Sequence, residues 1–178
     1  MKILRNIILA IAIMLTIPLI VALFTKKEYQ VEREITINKP QQDVFNYIKM
    51  LKNQPNYSKW AMEDPNAKMD YKGTDGTVGF VSAWESGNKK VGKGEQQITN
   101  ITGSRMDVAL HFIKPFEGRA NAYFSTDAIS PTQTKVKWGM TGKMNYPMNF
   151  MLLVVNMDNM LGSDLSVGLT NLKNNLEK

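Results

Sequence analysis

At 178 residues the chain has room for one domain of about 150 residues plus an appendage, and such a domain buries enough surface to need no staple. The absence of cysteine excludes disulfides, thiolate metal sites and a lipid-modified bacterial N-terminus. The net charge of +6 is mild: with Lys2 and Arg5 set aside, 20 basic residues face 16 acidic ones, and the four arginines are dispersed. Phosphate-neutralising clusters are therefore missing, and nucleic-acid binding is excluded as a function class.

Residues 1–6 form a short tail. Residues 7–24 carry no charge and are almost wholly aliphatic, and as a helix they span about 27 Å, close to the hydrocarbon thickness of a bilayer. Pro18 is tolerable in a spanning helix. A cleaved signal would need small residues just past the apolar run, where Leu23, Phe24 and Thr25 stand instead, so the segment reads as an uncleaved transmembrane anchor. Lys2 and Arg5 on one flank nearly balance Lys26 and Lys27 on the other, and the terminal amine tips the domain to the extracytoplasmic side.

Residues 25–28 are a linker, and residues 29–178 form the domain. Its first strand shows period-two alternation, with Val31, Arg33, Ile35 and Ile37 on one face. A helix begins around Asn38, Lys39 and Pro40 and carries Val44, Phe45 and Ile48 at helical spacing, and Pro55 closes this helical region. Six further strands are expected near residues 68–73, 78–85, 90–101, 105–113, 117–126 and 134–140, as an antiparallel meander. Gly87-Asn88 suits a two-residue hairpin that sets Trp84 opposite Val91 and Glu85 opposite Lys90. Residues 147–177 read as one long helix with Leu161, Leu165, Leu169, Leu172 and Leu176 in a stripe.

This order, together with Val31-Glu32-Arg33-Glu34-Ile35-Thr36-Ile37, Asn38-x-Pro40 with Val44-Phe45, Trp60, the run from His111 through Gly118, and Trp138-Gly139-Met140, resembles the SRPBCC (START/Bet v 1-like) superfamily, polyketide cyclase/dehydrase-like. The resemblance implies an α+β helix-grip fold, a seven-stranded antiparallel sheet wrapped around the C-terminal helix with a cavity between them. It also implies apolar ligands in many members and enzymes in some, but no shared catalytic residue.

The only histidine, His111, has outward parity between Leu110 and Phe112, and no nucleophile elbow or metal-ligand pair occurs, so no cofactor or metal is implied. Gly73, Gly76 and Gly79 lack the lysine-serine ending of a phosphate loop and read as a hairpin turn. Asp158 projects onto the leucine stripe and is the single candidate acid or base. It is either a satisfied carboxylate, one turned to water by a kink, or a polar anchor of raised pKa at the end of a cavity.

Trp60, Phe80, Trp84, Val108, Leu110, Phe112, Phe124, Trp138, Met140, Met151, Val154 and Asp158 are the candidate cavity residues, although a filled core would use the same residue types. Phe116, Tyr146, Met148, Phe150 and Leu152 form a candidate apolar rim that faces the membrane, covers itself as a lid, or meets a second copy. The expected function is membrane-anchored binding or carriage of an apolar, lipid-like small molecule. A cyclase, hydratase or hydrolase in the same cavity and a protein-interaction module at the membrane are the alternatives.

Overall fold

The alternation that starts at Tyr29 folds into one seven-stranded antiparallel sheet in the computed structural model, which describes residues 2–178. The chain runs through α1 (Lys2–Phe24), β1 (Glu28–Ile37), α2 (Gln41–Ile48), a 3-10 segment (Leu51–Asn56) and α3 (Lys59–Met62). The meander β2 (Lys68–Lys72), β3 (Val81–Glu85), β4 (Lys93–Ile101), β5 (Arg105–Lys114), β6 (Gly118–Ser130) and β7 (Gln133–Lys143) follows. A 3-10 turn (Met148–Phe150), α4 (Met151–Val154) and α5 (Met157–Leu176) complete it. Strand order is β1-β7-β6-β5-β4-β3-β2, so the first strand pairs with the last. This is an α+β, helix-grip-like molecule with an apolar N-terminal helix.

Inward-facing Val31, Ile98, Met106, Val108, Phe124, Val136 and Trp138 form one core with Leu165, Leu169 and Leu172 of α5. α2 adds Val44, Phe45 and Ile48 and is pinned across one end of the sheet, where Gln41 Nε2 donates to the Thr126 carbonyl (2.6 Å) and Thr134 Oγ1 to the Lys39 carbonyl (2.8 Å). Pro40, rather than Asn38 or Lys39, stands at the α2 cap, its carbonyl accepting from the Asp43 and Val44 amides. Asp75, between β2 and β3, accepts from the Leu51 and Lys52 amides at the start of the 3-10 segment.

Two expectations are corrected. The hairpin after β3 does not turn at Gly87-Asn88: Trp84 lies opposite Gly94 and Glu85 opposite Lys93. The chain turns later, because the Asn88 carbonyl accepts from the amides of Val91 and Gly92, and Gly92 supplies the positive φ (63°) the turn needs. The long C-terminal helix is also interrupted. Val155 is extended, and Asn156 caps α5 by accepting from the Asn159 amide (3.0 Å), a stronger local preference than continuing the helix through Val-Val-Asn.

The interruption lets the Met148–Phe150 turn pack against the end of α1. Asn149 is buried there, and its Nδ2 donates to the carbonyls of Ala22 (2.7 Å) and Thr25 (3.0 Å), satisfying oxygens that a helix end leaves without partners. Thr25 Oγ1 donates to the Val21 carbonyl beside them. Asn149→Ala should weaken this contact by about 1–3 kcal/mol. Hydrogen exchange should then quicken at residues 22–28 while β5 and β6 stay protected, and unchanged exchange at residues 22–28 would count against the clasp.

Candidate functional site

Between the concave face of the sheet and the layer made by α3, the Leu51–Asn56 segment and the start of α5 lies a hollow of about 590 Å³. Of the candidate cavity residues, Trp60, Trp84, Val108, Leu110, Phe112, Phe124, Trp138 and Met140 line it. Phe80 does not: it is buried in the core and stacks on Tyr71, centroids 6.0 Å apart. Met151 and Val154 also lie outside its lining, on the exposed short helix α4. Phe116, 82% exposed, borders the hollow with Lys114 and Pro115 and marks its mouth. Tyr146 and Met148 are exposed and Phe150 and Leu152 half-buried, and none of the four lines the hollow.

The aromatic wall is ordered by edge and face contacts. Phe124 stacks on Trp138 at 4.5 Å, Trp60 meets Trp138 edge-on at 5.8 Å, and Trp84 meets Phe112 edge-on at 6.1 Å. Trp84 can lie flat across β4 because Gly94 faces it. A Cβ there would sit 2.5 Å from the ring, and the indole nitrogen donates to the Val91 carbonyl (3.2 Å).

Trp60 is held from the helix side. Asp164 of α5 accepts from its Nε1 (3.1 Å) and pairs with the ammonium of Lys59, fastening α3 onto α5. The same carboxylate raises the Lys59 pKa through that hydrogen bond. Asp164 escapes a sequence reading because a polar residue beside a leucine stripe looks like an ordinary solvated position.

Asp158 is a satisfied carboxylate turned outward beside a break in the helix, and its expected place in the cavity and raised pKa are corrected. Its side chain is 59% exposed and lies outside the hollow, and it forms a paired ion contact with Arg33 of β1 (2.8 and 2.9 Å). The hydrogen bond from Arg33 holds its carboxyl below the usual carboxylate range rather than above it. Arg33 lies flat over Gly162, where a Cβ would come within 2.1 Å of the guanidinium. The two polar residues on otherwise apolar stripes thus answer each other, and the Arg33 parity was the available signal.

Four neutral polar residues also line the hollow: Gln54, Ser58, Ser82 and Gln96. Ser82 and Gln96 sit opposite each other on β3 and β4 with the inward parity of Trp84, which a parity count along both strands could have shown. The charged lining groups Asp64, Lys90 and Lys114 belong to the loops and strand end at the mouth, where Ser86 donates to Asp64. His111 lies on the outer face of β5 and outside the hollow, 3.7 Å from Glu95 and 3.4 Å from Glu117. Among the described residues no cluster of His, Asp and Glu could hold a metal.

No family model matches the sequence, and no curated protein does. Solved structures share the fold. An uncharacterised Bacillus thuringiensis protein matches with a TM-score of 0.57 at 13% identity, over 82% of this chain and 97% of its own. The Aha1 dimer from Colwellia psychrerythraea matches at 0.57 and 14%, over 84% of this chain and 96% of that one. DynU16, from the dynemicin biosynthetic locus, matches at 0.58 and 9%, over 84% of this chain and 47% of its own. Identities this low speak for the fold alone.

Because the Asp158 pKa is depressed in the folded state, its contact with Arg33 stabilises the fold above the ordinary carboxyl value near 3.8 and loses that contribution as pH falls through the folded value. Asp158→Asn should therefore lower the thermal midpoint at neutral pH, with the gap to the wild type closing on acidification below that range. A gap that stays constant with pH would show that the ion pair does not supply the difference. Asp164→Ala should free Trp60, read as a red shift and stronger acrylamide quenching of tryptophan emission.

Proposed function

We propose that this chain is a membrane-tethered binder or carrier of an apolar, lipid-like small molecule, a member of the SRPBCC superfamily held by residues 7–24 as an uncleaved span. The observation behind this is the hollow of about 590 Å³, within the size range of small-molecule sites and walled mainly by aromatic and aliphatic side chains. α1, 23 residues from Lys2 to Phe24 with no charge after Arg5, is long and apolar enough to cross a bilayer. The position of DynU16 in a biosynthetic locus agrees with small-molecule handling by this fold.

The mouth lies at the membrane end of the domain. β1 starts at Glu28, opposite Lys143 of β7, and the register across β7, β6 and β5 puts the 114–118 hairpin at that same end of the sheet. Three residues separate α1 from β1, a reach of about 10 Å, and Asn149 holds the helix end to the domain. Exposed Phe116, Tyr146, Met148, Met151, Leu153 and Val154 would then meet the head-group region, with Lys26 and Lys27 beside it. A ligand could pass between bilayer and hollow without crossing much water. With Lys2 and Arg5 matched by Lys26 and Lys27, the terminal amine is the one charge that favours a domain outside the cytoplasm.

The full-length protein, extracted in gentle detergent and examined by mass spectrometry, should retain an apolar small molecule. Ala122 lies in the wall between Val108 and Met140, so Ala122→Trp should fill the hollow and reduce the bound molecule to about a tenth or less. Equal retention by both proteins, or none by the wild type, would overturn the proposal. Phe116→Asp should slow ligand exchange with vesicles while leaving the capacity of the hollow unchanged.

A further inference from the structure

The polar residues of the hollow are grouped and neutral, and their hydrogen bonds do not close among themselves. Gln96, 8% exposed, donates from Nε2 to Gln54 Oε1 at 2.7 Å. Whichever way the two amides are turned, that bond uses one donor and one acceptor group, and the pair keeps one amide nitrogen and one carbonyl oxygen over. No other side-chain hydrogen bond meets those two atoms among the described residues, and unlike the Ser82 hydroxyl neither of them is sealed off. Ser82, opposite Gln96 in register, is 1% exposed, and its Oγ has no partner. Ser58, also buried, borders the same space from the other wall.

A buried hydroxyl without a partner costs free energy, and native interiors normally satisfy such groups. Here the Ser82 hydroxyl and the remaining amide atoms of Gln54 and Gln96 border a space large enough for a guest. The charged groups of the lining, Asp64, Lys90 and Lys114, gather at the 86–93 turn between β3 and β4, where Asp64 accepts from Ser86 and Lys114 lies opposite Lys93, three or more residues along the strands from Ser82 and Gln96. A carboxylate or phosphate brought to the cluster would lose its hydration with no cation to offset the loss, whereas a hydroxyl, ester carbonyl or amide would find both a donor and an acceptor.

We propose that the hollow selects an amphiphile with an uncharged hydrogen-bonding group, which sits among Gln54, Ser58, Ser82 and Gln96 while its hydrocarbon part lies along Trp84 and Phe112 toward Phe116. The proposal rests on the hollow being a ligand site and adds the class of ligand it takes.

The chain provides its own reporter. It contains three tryptophans, Trp60, Trp84 and Trp138, and all of them line the hollow, so a bromine carried inside quenches emission with no background from elsewhere. Full-length protein in detergent would be titrated with ω-bromododecanol, bromododecane and ω-bromododecanoate, with concentrations taken as mole fraction in the detergent. The alcohol should quench at about a tenth of the midpoint of the alkane, and the carboxylate should show no such advantage.

Gln96→Leu should raise the alcohol midpoint about tenfold, to that of the alkane, and leave bromododecane quenching intact, which shows that the hollow persists. Ser82→Ala, which breaks no hydrogen bond of the free protein, should narrow the preference about threefold. Equal alcohol and alkane midpoints in the wild type, a lowest midpoint for the carboxylate, or a preference undiminished in both variants would overturn the proposal while leaving an apolar binding site standing. Absence of quenching by all three compounds would overturn it together with the ligand-site reading.

Discussion

A seven-stranded sheet is wider than the helix it grips, and most of this architecture follows from that mismatch. Strands about 4.8 Å apart make a sheet about 29 Å across, whereas a helix with its side chains covers about 10 Å. α5 packs chiefly along β1, with Leu165, Leu169 and Leu172 in the core and Arg33 laid over Gly162. The concave side of β3 to β5 is left to shorter pieces. α3 and the Leu51–Asn56 segment roof it without reaching its floor, and the space beneath them is the hollow.

Because the roof is short, it depends on a few polar fastenings. Asp164 ties α3 to α5 through Lys59 and Trp60, Asn171 Nδ2 donates to the Tyr57 carbonyl (3.2 Å), and Asp75 caps the 3-10 segment from the β2–β3 loop. Tyr57 packs edge-on against Phe124 and Trp138, and burial pushes its phenol well above the usual range, so it stays neutral. Apolar contacts supply the bulk of the stability, and these bonds decide where each aromatic ring stands.

Much of the fold was legible because its signals are periodic. The alternation of Val31, Ile35 and Ile37 and the leucine stripe of α5 each point one way, and the meander follows from turn residues at regular spacing. What was not legible turned on single hydrogen bonds. Gly87-Asn88 has the letters of a tight hairpin, yet the Asn88 carbonyl and Gly92 lengthen the turn so that Trp84 faces Gly94 instead of Val91; Asn156 stops a helix that hydrophobicity would extend. In the site, aromatic residues were found by parity, while Gln54, Ser58 and Asp164 lie where a polar residue raises no question. Asp158 drew notice as a misfit, but its meaning lay in Arg33, 125 residues earlier in the chain, a separation no local pattern spans.

The Asn149 clasp has a mechanical consequence. A flexible linker would let the domain tumble above the bilayer, whereas a helix whose last carbonyls are bonded into the domain, with β1 beginning three residues later, behaves as the handle of a rigid tool. In a bilayer, any lean the helix adopts to match a thicker or thinner hydrocarbon layer is passed to the sheet as the same rotation. If α1 spans a bilayer as proposed, the angle at which the aromatic opening meets the lipid surface would be set by membrane thickness rather than by thermal wandering of a tether.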